Sequence, residues 1–438
     1  MKKSLIALAV GGAFVAPTAM AQTSNVVLSG QLKLGYEYLM PDSANLPQGA
    51  TPRNVNSWNT SRVANETSFV RFSGSEDLGN GLRAVFQIES EVNGDTNGGL
   101  WASRNSGVGL SSNALGTLMF GRWDVHYLSH AGVEGAGLGG TSLALKANSL
   151  NILNWVNGLG TGGSRLSNLI RYVTPNYSGF EGELAYSFDN EAARSAGVDG
   201  RQNGRSAEWG VTLRYNAGPI NAFASYFQRQ NQACELANYG TATGAIATCP
   251  SLETPATLSG SAAIAGALVG GQGGNALPQN MGTLNLDAVR FGAAYTFGFG
   301  TGFRAKVGAI GDWTGWDAKV FNNRVGVDSE RWAWSIPTSL SFGPHTGYLT
   351  YSQAANASGN YNCRSNVSSQ GCTGGGTGAT MWMVGYDYSL SKRTSVGGNW
   401  TSVFNGGNGY YDFWSRGVGV TRSGADIQSF YVGIRHLF

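Results

Sequence analysis

Nowhere in the 438 residues is there an apolar run able to cross a membrane as a helix, which takes ~18 or more such residues; Leu5 to Val15 stops short and nothing comparable follows. Helical periodicity is also scarce. Charged residues make up only 13% of the chain and form no concentrated basic segment, which argues against a nucleic-acid partner. The four histidines are His126, His130, His345 and His436. The last two are expected at the opposite end of the molecule from the first two, which leaves little for a Ser, Asp and His grouping and argues against an enzyme. No fixed-period repeat is visible, as a secreted β-solenoid would require.

Cysteine is scarce too. Four residues form two close pairs, Cys234 with Cys249 and Cys363 with Cys372, each inside one Gly/Asn/Ser-rich stretch. Four cysteines permit three connectivities. Local pairing needs the least chain closure, and an exported chain meets an oxidising compartment that favours disulfides. A metal site is the weaker reading, since no His lies near either pair.

Export is indicated by Lys2 and Lys3, the apolar run behind them, and Ala19-Met20-Ala21 with its small-x-small cleavage pattern. Residues 1–21 thus read as a signal peptide. Its removal takes two of 29 basic residues and none of the 26 acidic ones, leaving 27 against 26 and a mature formal charge of +1. Residues 22–438 are expected to form one domain. Their excess of Gly and aromatics at modest hydrophobicity fits all-β structure with many turns.

Period-two alternation recurs throughout and is the signature of half-buried strands. From Leu82 to Glu91, the set Arg83, Val85, Gln87, Glu89 and Glu91 opposes Leu82, Ala84, Phe86 and Ile88. Seven short turns, such as Asp77 to Gly81 and Ser391 to Arg393, alternate with eight long polar stretches, among them Met40 to Asn65, Asp124 to Arg165, Gln230 to Asn285 and Thr314 to Glu330. Together they join sixteen strands. Even strand number, short turns at one end and long loops at the other point to a 16-stranded antiparallel transmembrane β-barrel, with periplasmic turns and extracellular loops. The terminal strand must pair with Val26 to Leu39 to remove the open edges, placing Phe430, Val432, Ile434 and Phe438 toward lipid. A barrel of ~16 strands encloses an aqueous lumen that side chains cannot fill.

The stretches "GSEDLGNGLRAVFQIESEVN", "VGLSSNALGTLMFGRWD", "LIRYVTPNYSGFEGELAYS" and "YVGIRHLF" resemble the general porins of Gram-negative bacteria, especially the beta-proteobacterial type. The resemblance implies an outer-membrane homotrimer surrounded by lipid and lipopolysaccharide, with the third long loop folded inward and small hydrophilic solutes and ions passing by diffusion. No cofactor is implied. It also makes Phe438 a signal read by the barrel-assembly machinery. Alternatives are a solute-specific channel for a sugar, carboxylate or phosphate, and an outer-membrane enzyme.

Alternation points Arg71, Arg83, Arg104, Arg171, Arg290, Arg304 and Lys306 inward with Glu89, Glu91, Glu181 and Glu183. An Arg or Lys turned toward lipid near the midplane would cost ~2–4 kcal/mol. Arg71, Arg83, Arg104, Arg122 and Arg171, from strands 2 to 6, are expected either to form a cationic ladder that biases passage toward anions or simply to solvate the lumen and pair with the glutamates. In the third loop, Arg122, Arg165 and Lys146 outweigh Asp124 and Glu134. This departs from the acidic third loop with a Pro-Glu-Phe-Gly-Gly motif of many enterobacterial relatives, and Glu134 is the nearest substitute for its carboxylate. His126, His130 and Glu134, spaced by four, would share a helix face and could bind a metal; solvated or packed side chains are the commoner outcome, so no metal is assigned. Trp313, Trp316, Trp332, Trp334, Tyr410, Tyr411 and Trp414 are expected in the interfacial girdle.

Overall fold

The computed structural model describes residues 25–42, 59–96, 99, 101–134, 148–154, 165–188, 207–234, 282–320, 325–360, 374–409, 411–413 and 424–438. The expected signal peptide 1–21, Lys146, Cys249, Cys363, Cys372, Tyr410 and Trp414 lie outside these residues, as does the side chain of Cys234.

Sixteen strands form one closed antiparallel sheet, as the turn and loop pattern leads one to expect. In chain order they begin with β1 (Asn25–Asp42), β2 (Thr60–Asn65 and Phe69–Gly79), β3 (Leu82–Glu91) and β4 (Ser106–Ser112). Next come β5 (Gly116–Asp124), β6 (Arg165–Val173), β7 (Phe180–Ser187) and β8 (Ala207–Ala217). The third quarter is β9 (Ile220–Cys234), β10 (Gly282–Phe299), β11 (Phe303–Val320) and β12 (Val325–Phe342). The last is β13 (His345–Ala354, with Ser358–Gly359 continuing against β12), β14 (Ala379–Ser389), β15 (Thr394–Asn405) and β16 (Asp426–Leu437). Both pieces of β2 pair with β1, and the break between them carries Thr67 at a φ of 61°.

The walls differ in height. Strands β10, β11 and β12 run 18 residues each, whereas β4 has 7 and β5 and β6 have 9. Tight turns close one end. At the first of them, Gly79, Asn80 and Gly81 all have positive φ, a bend that glycine and asparagine tolerate and branched residues do not.

Closure is made by β1 and β16, in register from Gln31 opposite Leu437 to Asp42 opposite Asp426. Phe438 extends the seam, with its N–H donating to the Gly30 carbonyl at 3.2 Å and its carbonyl accepting from the Gly30 N–H at 3.0 Å. Its ring is part of an apolar outer face. Phe430, Val432 and Ile434 on β16 are nearly half exposed, as is Leu110 on β4, and Val108 beside it is more exposed still, as expected of residues that meet hydrocarbon. The intervening residues turn into the lumen.

Candidate functional site

The lumen is crossed by the loop between β5 and β6. After Asp124 the chain leaves the sheet at Val125, and His126 takes a positive φ of 39°, which turns the backbone inward. Residues His126–Gly132 form a 3₁₀ turn, closed where the Val133 and Glu134 N–H groups donate to the His130 carbonyl. A second piece, α1 (Leu150–Leu153), is a single helical turn. Glu134 joins the two: it is buried, and its Oε2 accepts from the Ser149 N–H at 3.2 Å. The carboxylate expected to face solute therefore braces the loop from within.

Apolar packing holds the loop against the tall side of the barrel. Val125, Val133, Ile152 and Leu153 share a buried cluster with Phe223, Phe227, Leu286, Ile310 and Met381 of the wall. Each such side chain contributes ~1.5–3 kcal/mol when fully buried. Polar anchoring is more specific. Asp312 of β11 receives Arg290 Nε at 2.8 Å and Arg331 Nη2 at 2.9 Å, and all three residues are buried. The same guanidiniums donate to loop carbonyls, Arg290 to Tyr127 at 2.9 Å and Arg331 to Ile152 at 2.5 Å and Leu153 at 2.8 Å. One carboxylate thus positions two cations, and these fix both pieces of the loop. Arg290 points inward as alternation requires, but it is covered by the loop and offers solute no accessible charge.

The histidines lie in this anchored region. His126 Nδ1 is 2.8 Å from Ser225 Oγ, and His130 Nδ1 is 3.5 Å from Arg290 Nη1. Glu134 turns instead to Ser149, and no group of three or more His, Cys, Asp or Glu is gathered for a metal among the described residues. Burial, reinforced by the Arg290 guanidinium, holds both imidazoles well below their ordinary pKa. The folded loop thus binds fewer protons than the released one, so its attachment is full above the unfolded value of ~6.5 and weakens as pH falls. Acidification from neutrality should raise open-channel current noise, and His130→Gln should shift or flatten that dependence in a bilayer recording. A noise level independent of pH would reject the coupling.

On and beside strands β2 to β8 the wall carries paired arginines. Glu89 accepts from both Arg71 at 2.6 Å and Arg104 at 2.5 Å. Glu183 accepts from Arg171 at 3.0 Å and Arg214 at 2.9 Å, and Asp124 pairs with Arg165 at 2.8 Å. The side chain of Arg71 is 36% exposed, against 2% for Glu89, so the cation is presented and the carboxylate is recessed. Arg171 also lies over the Trp123 ring, 5.0 Å from its centroid. Arg83 sits by the short-turn end, 3.3 Å from Asn113. Arg122 takes the other side of its strand from Trp123. It borders an outward concavity of about 590 Å³ with Phe120, Ile170 and Phe188, so it is set apart from the lumen array.

Arg331, Asp312, Arg214, Lys33 and Arg435 were not singled out by sequence reasoning. A usable signal was there: Arg331 precedes the half-exposed Trp332, and Arg435 follows Ile434, so alternation alone turns both inward. Of the aromatics expected in the girdle, Trp332 and Trp334 are exposed, whereas Trp316 and Tyr411 are buried. Tyr411 packs under Arg331 and its hydroxyl accepts from that guanidinium at 3.1 Å.

Comparison with known proteins places this geometry. The profile of the Gram-negative porin family matches residues 4–408. Outer membrane porin protein 32 of Delftia acidovorans is 28% identical over 452 aligned positions, covering all of both chains. An outer membrane porin protein of Bordetella pertussis is 33% identical over 244 positions, covering 52% of this chain and 60% of that one. Among solved structures, the anion-selective porin from Comamonas acidovorans has a TM-score of 0.57 at 22% identity, covering 95% of this chain and 100% of the other. The trimer form of OmpT from Vibrio cholerae has a TM-score of 0.55 at 14% identity, covering 95% and 100%.

Proposed function

Because the chain belongs to the Gram-negative porin family and is a β-barrel channel of the outer membrane, we propose that it passes small hydrophilic solutes and ions by diffusion, with a weak preference for anions. The observation that carries the preference is the sharing of Glu89 between Arg71 and Arg104. Two cations meet one recessed carboxylate, and Arg71 remains partly open to the lumen. Neighbouring strands add Arg171 and Arg214 around Glu183, a pair balanced by Glu181, which lies 3.3 Å from Arg214. A surplus of accessible guanidinium in a narrow aqueous passage attracts anions and repels cations. The pairing moderates this field, hence a preference and no strict exclusion.

The proposed assembly is a homotrimer in lipid and lipopolysaccharide, matured by the barrel-assembly machinery. Selectivity is tested by the reversal potential in a planar bilayer under a KCl gradient. The wild type should lean toward the chloride potential, and an Arg71→Gln, Arg104→Gln, Arg171→Gln variant should move toward or past zero while keeping large ohmic steps. An unchanged reversal potential would remove these arginines from selectivity.

A further inference from the structure

Toward the short-turn end, the tall wall presents an inner surface that carries cations and no acid. Arg304 and Lys306 are alternate residues of β11 and share a side of the sheet. That side is the inner one, since Phe303 and Val307 between and beside them are exposed to the outside. Their cross-strand neighbours are Gly298 and Thr296 on β10, and Ser341 and Ser339 on β12. Beyond Ser341 come Thr346 and then Asp387, so the first inward carboxylate in that direction stands three strands from Arg304, ~14 Å at ~4.8 Å per strand. On the outside of the same strands, Phe297, Phe299 and Phe303 stack in turn, with 6.2 Å and 5.7 Å between ring centroids. Such an aromatic row marks the membrane boundary. Arg304 thus stands at the level where the lumen opens on the short-turn side.

The other arginines of the wall have carboxylates at hand. Arg71 and Arg104 share Glu89, and Arg290 and Arg331 share Asp312 beneath the loop. Arg83, at the same end of the barrel as Arg304, stands across from Asp77. Arg304 is exposed, and among the described residues it makes no ion pair and no side-chain hydrogen bond. The space beside it is open, for a Cβ added to Gly298 would meet nothing within 4 Å. Lys306 has other work: its ammonium donates to the Gly132 carbonyl of the third loop and feels the Glu134 carboxylate. A full positive charge that water reaches at one mouth acts on ions before they enter.

We propose that Arg304 sets the supply of small anions at the short-turn mouth and makes the channel's preference for them sided, stronger for ions entering there than for ions entering past the long loops. The proposal rests on the channel reading above and adds a determinant outside the paired array. Single-channel current tests it, with KCl at about 10 mM on one face and ~1 M on the other, so that a charge reaches ~30 Å into the dilute solution and ~3 Å into the concentrated one. Chloride is driven from the dilute face, and the gradient is then reversed on the same channel. Arg304→Gln should lower the current about twofold in one direction of the gradient, the enrichment that one unit charge produces ~8 Å away in water, and leave it unchanged in the other. Arg304→Lys should restore the wild-type current, which a packing role for the guanidinium would not allow. With ~1 M KCl on both faces, wild type and both variants should conduct alike. Because Arg304 bonds to no neighbour, the variants are expected to fold as the wild type does. Equal loss in both directions would place its action in the middle of the pore, and no loss in either would leave it without one; each result overturns the proposal. Wild-type protein without conductance would overturn the channel reading, and this proposal with it.

Discussion

Replacing Asp312 by alanine is expected to free the third loop while leaving the barrel closed. The carboxylate is the common partner of Arg290 and Arg331, and both guanidiniums are buried. Removing one member of a buried ionic group costs on the order of 3–5 kcal/mol, because the cations left behind lose their shared carboxylate in a place that water does not reach. That penalty is comparable to what two buried apolar side chains of the loop supply. The backbone pairing of β11 with β10 and β12 does not involve the Asp312 side chain, so the strand survives. Relief comes from letting the arginines reach water, which requires the carbonyls of Tyr127, Ile152 and Leu153 to leave them. Limited proteolysis should cut within residues 125–164, and single-channel traces should show larger, noisier openings. Replacing Arg290 and Arg331 by methionine together with Asp312→Leu removes every buried charge of the set, and should disturb the loop less than Asp312→Ala does. Identical digestion and conductance for Asp312→Ala and the wild type would show that apolar packing alone holds the loop.

Deleting Phe438 should have its largest effect in the cell. In the folded barrel the residue contributes two backbone hydrogen bonds to Gly30, roughly 0.5–1.5 kcal/mol each in net terms. Twelve paired positions of the seam remain, from Gln31–Leu437 to Asp42–Asp426. Purified chain refolded in detergent should therefore still close, with slightly lower thermal stability. Assembly in cells should fall to a small fraction of wild type if the terminal aromatic is the feature that the assembly machinery reads. Gel migration of unheated against heated samples reports the folded fraction in both settings. Equal losses in detergent and in cells would make Phe438 a structural residue only, and undiminished cellular assembly would place the signal elsewhere.

The barrel was legible because lipid imposes a rule on every outward position, and the rule can be read one residue at a time. The strand Ser429 to Phe438 shows it, with Phe430, Val432 and Ile434 outside and Tyr431 and Arg435 inside. Where lipid ends, the rule lapses. Thr314 to Val320 and Val325 to Glu330 read as loop, yet they are the upper parts of β11 and β12. Above the bilayer β11 and β12 carry Asp317 and Glu330 on their outer side, so alternation fades while hydrogen bonding continues. The piece Thr60–Asn65 of β2 was hidden by the same polarity.

Inward direction was legible for the arginines, but their environment was not. Nothing local distinguishes Arg290, sealed beneath a loop from far along the chain, from Arg71, which keeps partial access to the lumen. Arg122 was open to correction from sequence, since it shares a strand side with Phe120. The placement of Glu134 against Ser149 depends on two loop pieces meeting across 15 positions, and no spacing rule encodes that.

The unequal strands have a mechanical consequence for the surrounding bilayer. At ~3.3 Å per residue and a tilt near 45°, an 18-residue strand rises ~40 Å, and one of 7 to 9 residues ~16 to 21 Å. An apolar band of ~25 Å fits within the first and exceeds the second. Lipid beside β4 to β6 must thin to meet it, at a modest elastic cost for each ångström. That strain disappears wherever protein replaces lipid along the short side. Membrane thickness therefore becomes a variable of assembly: in a thicker bilayer the short flanks gain more by meeting one another, and in a thinner one they gain less.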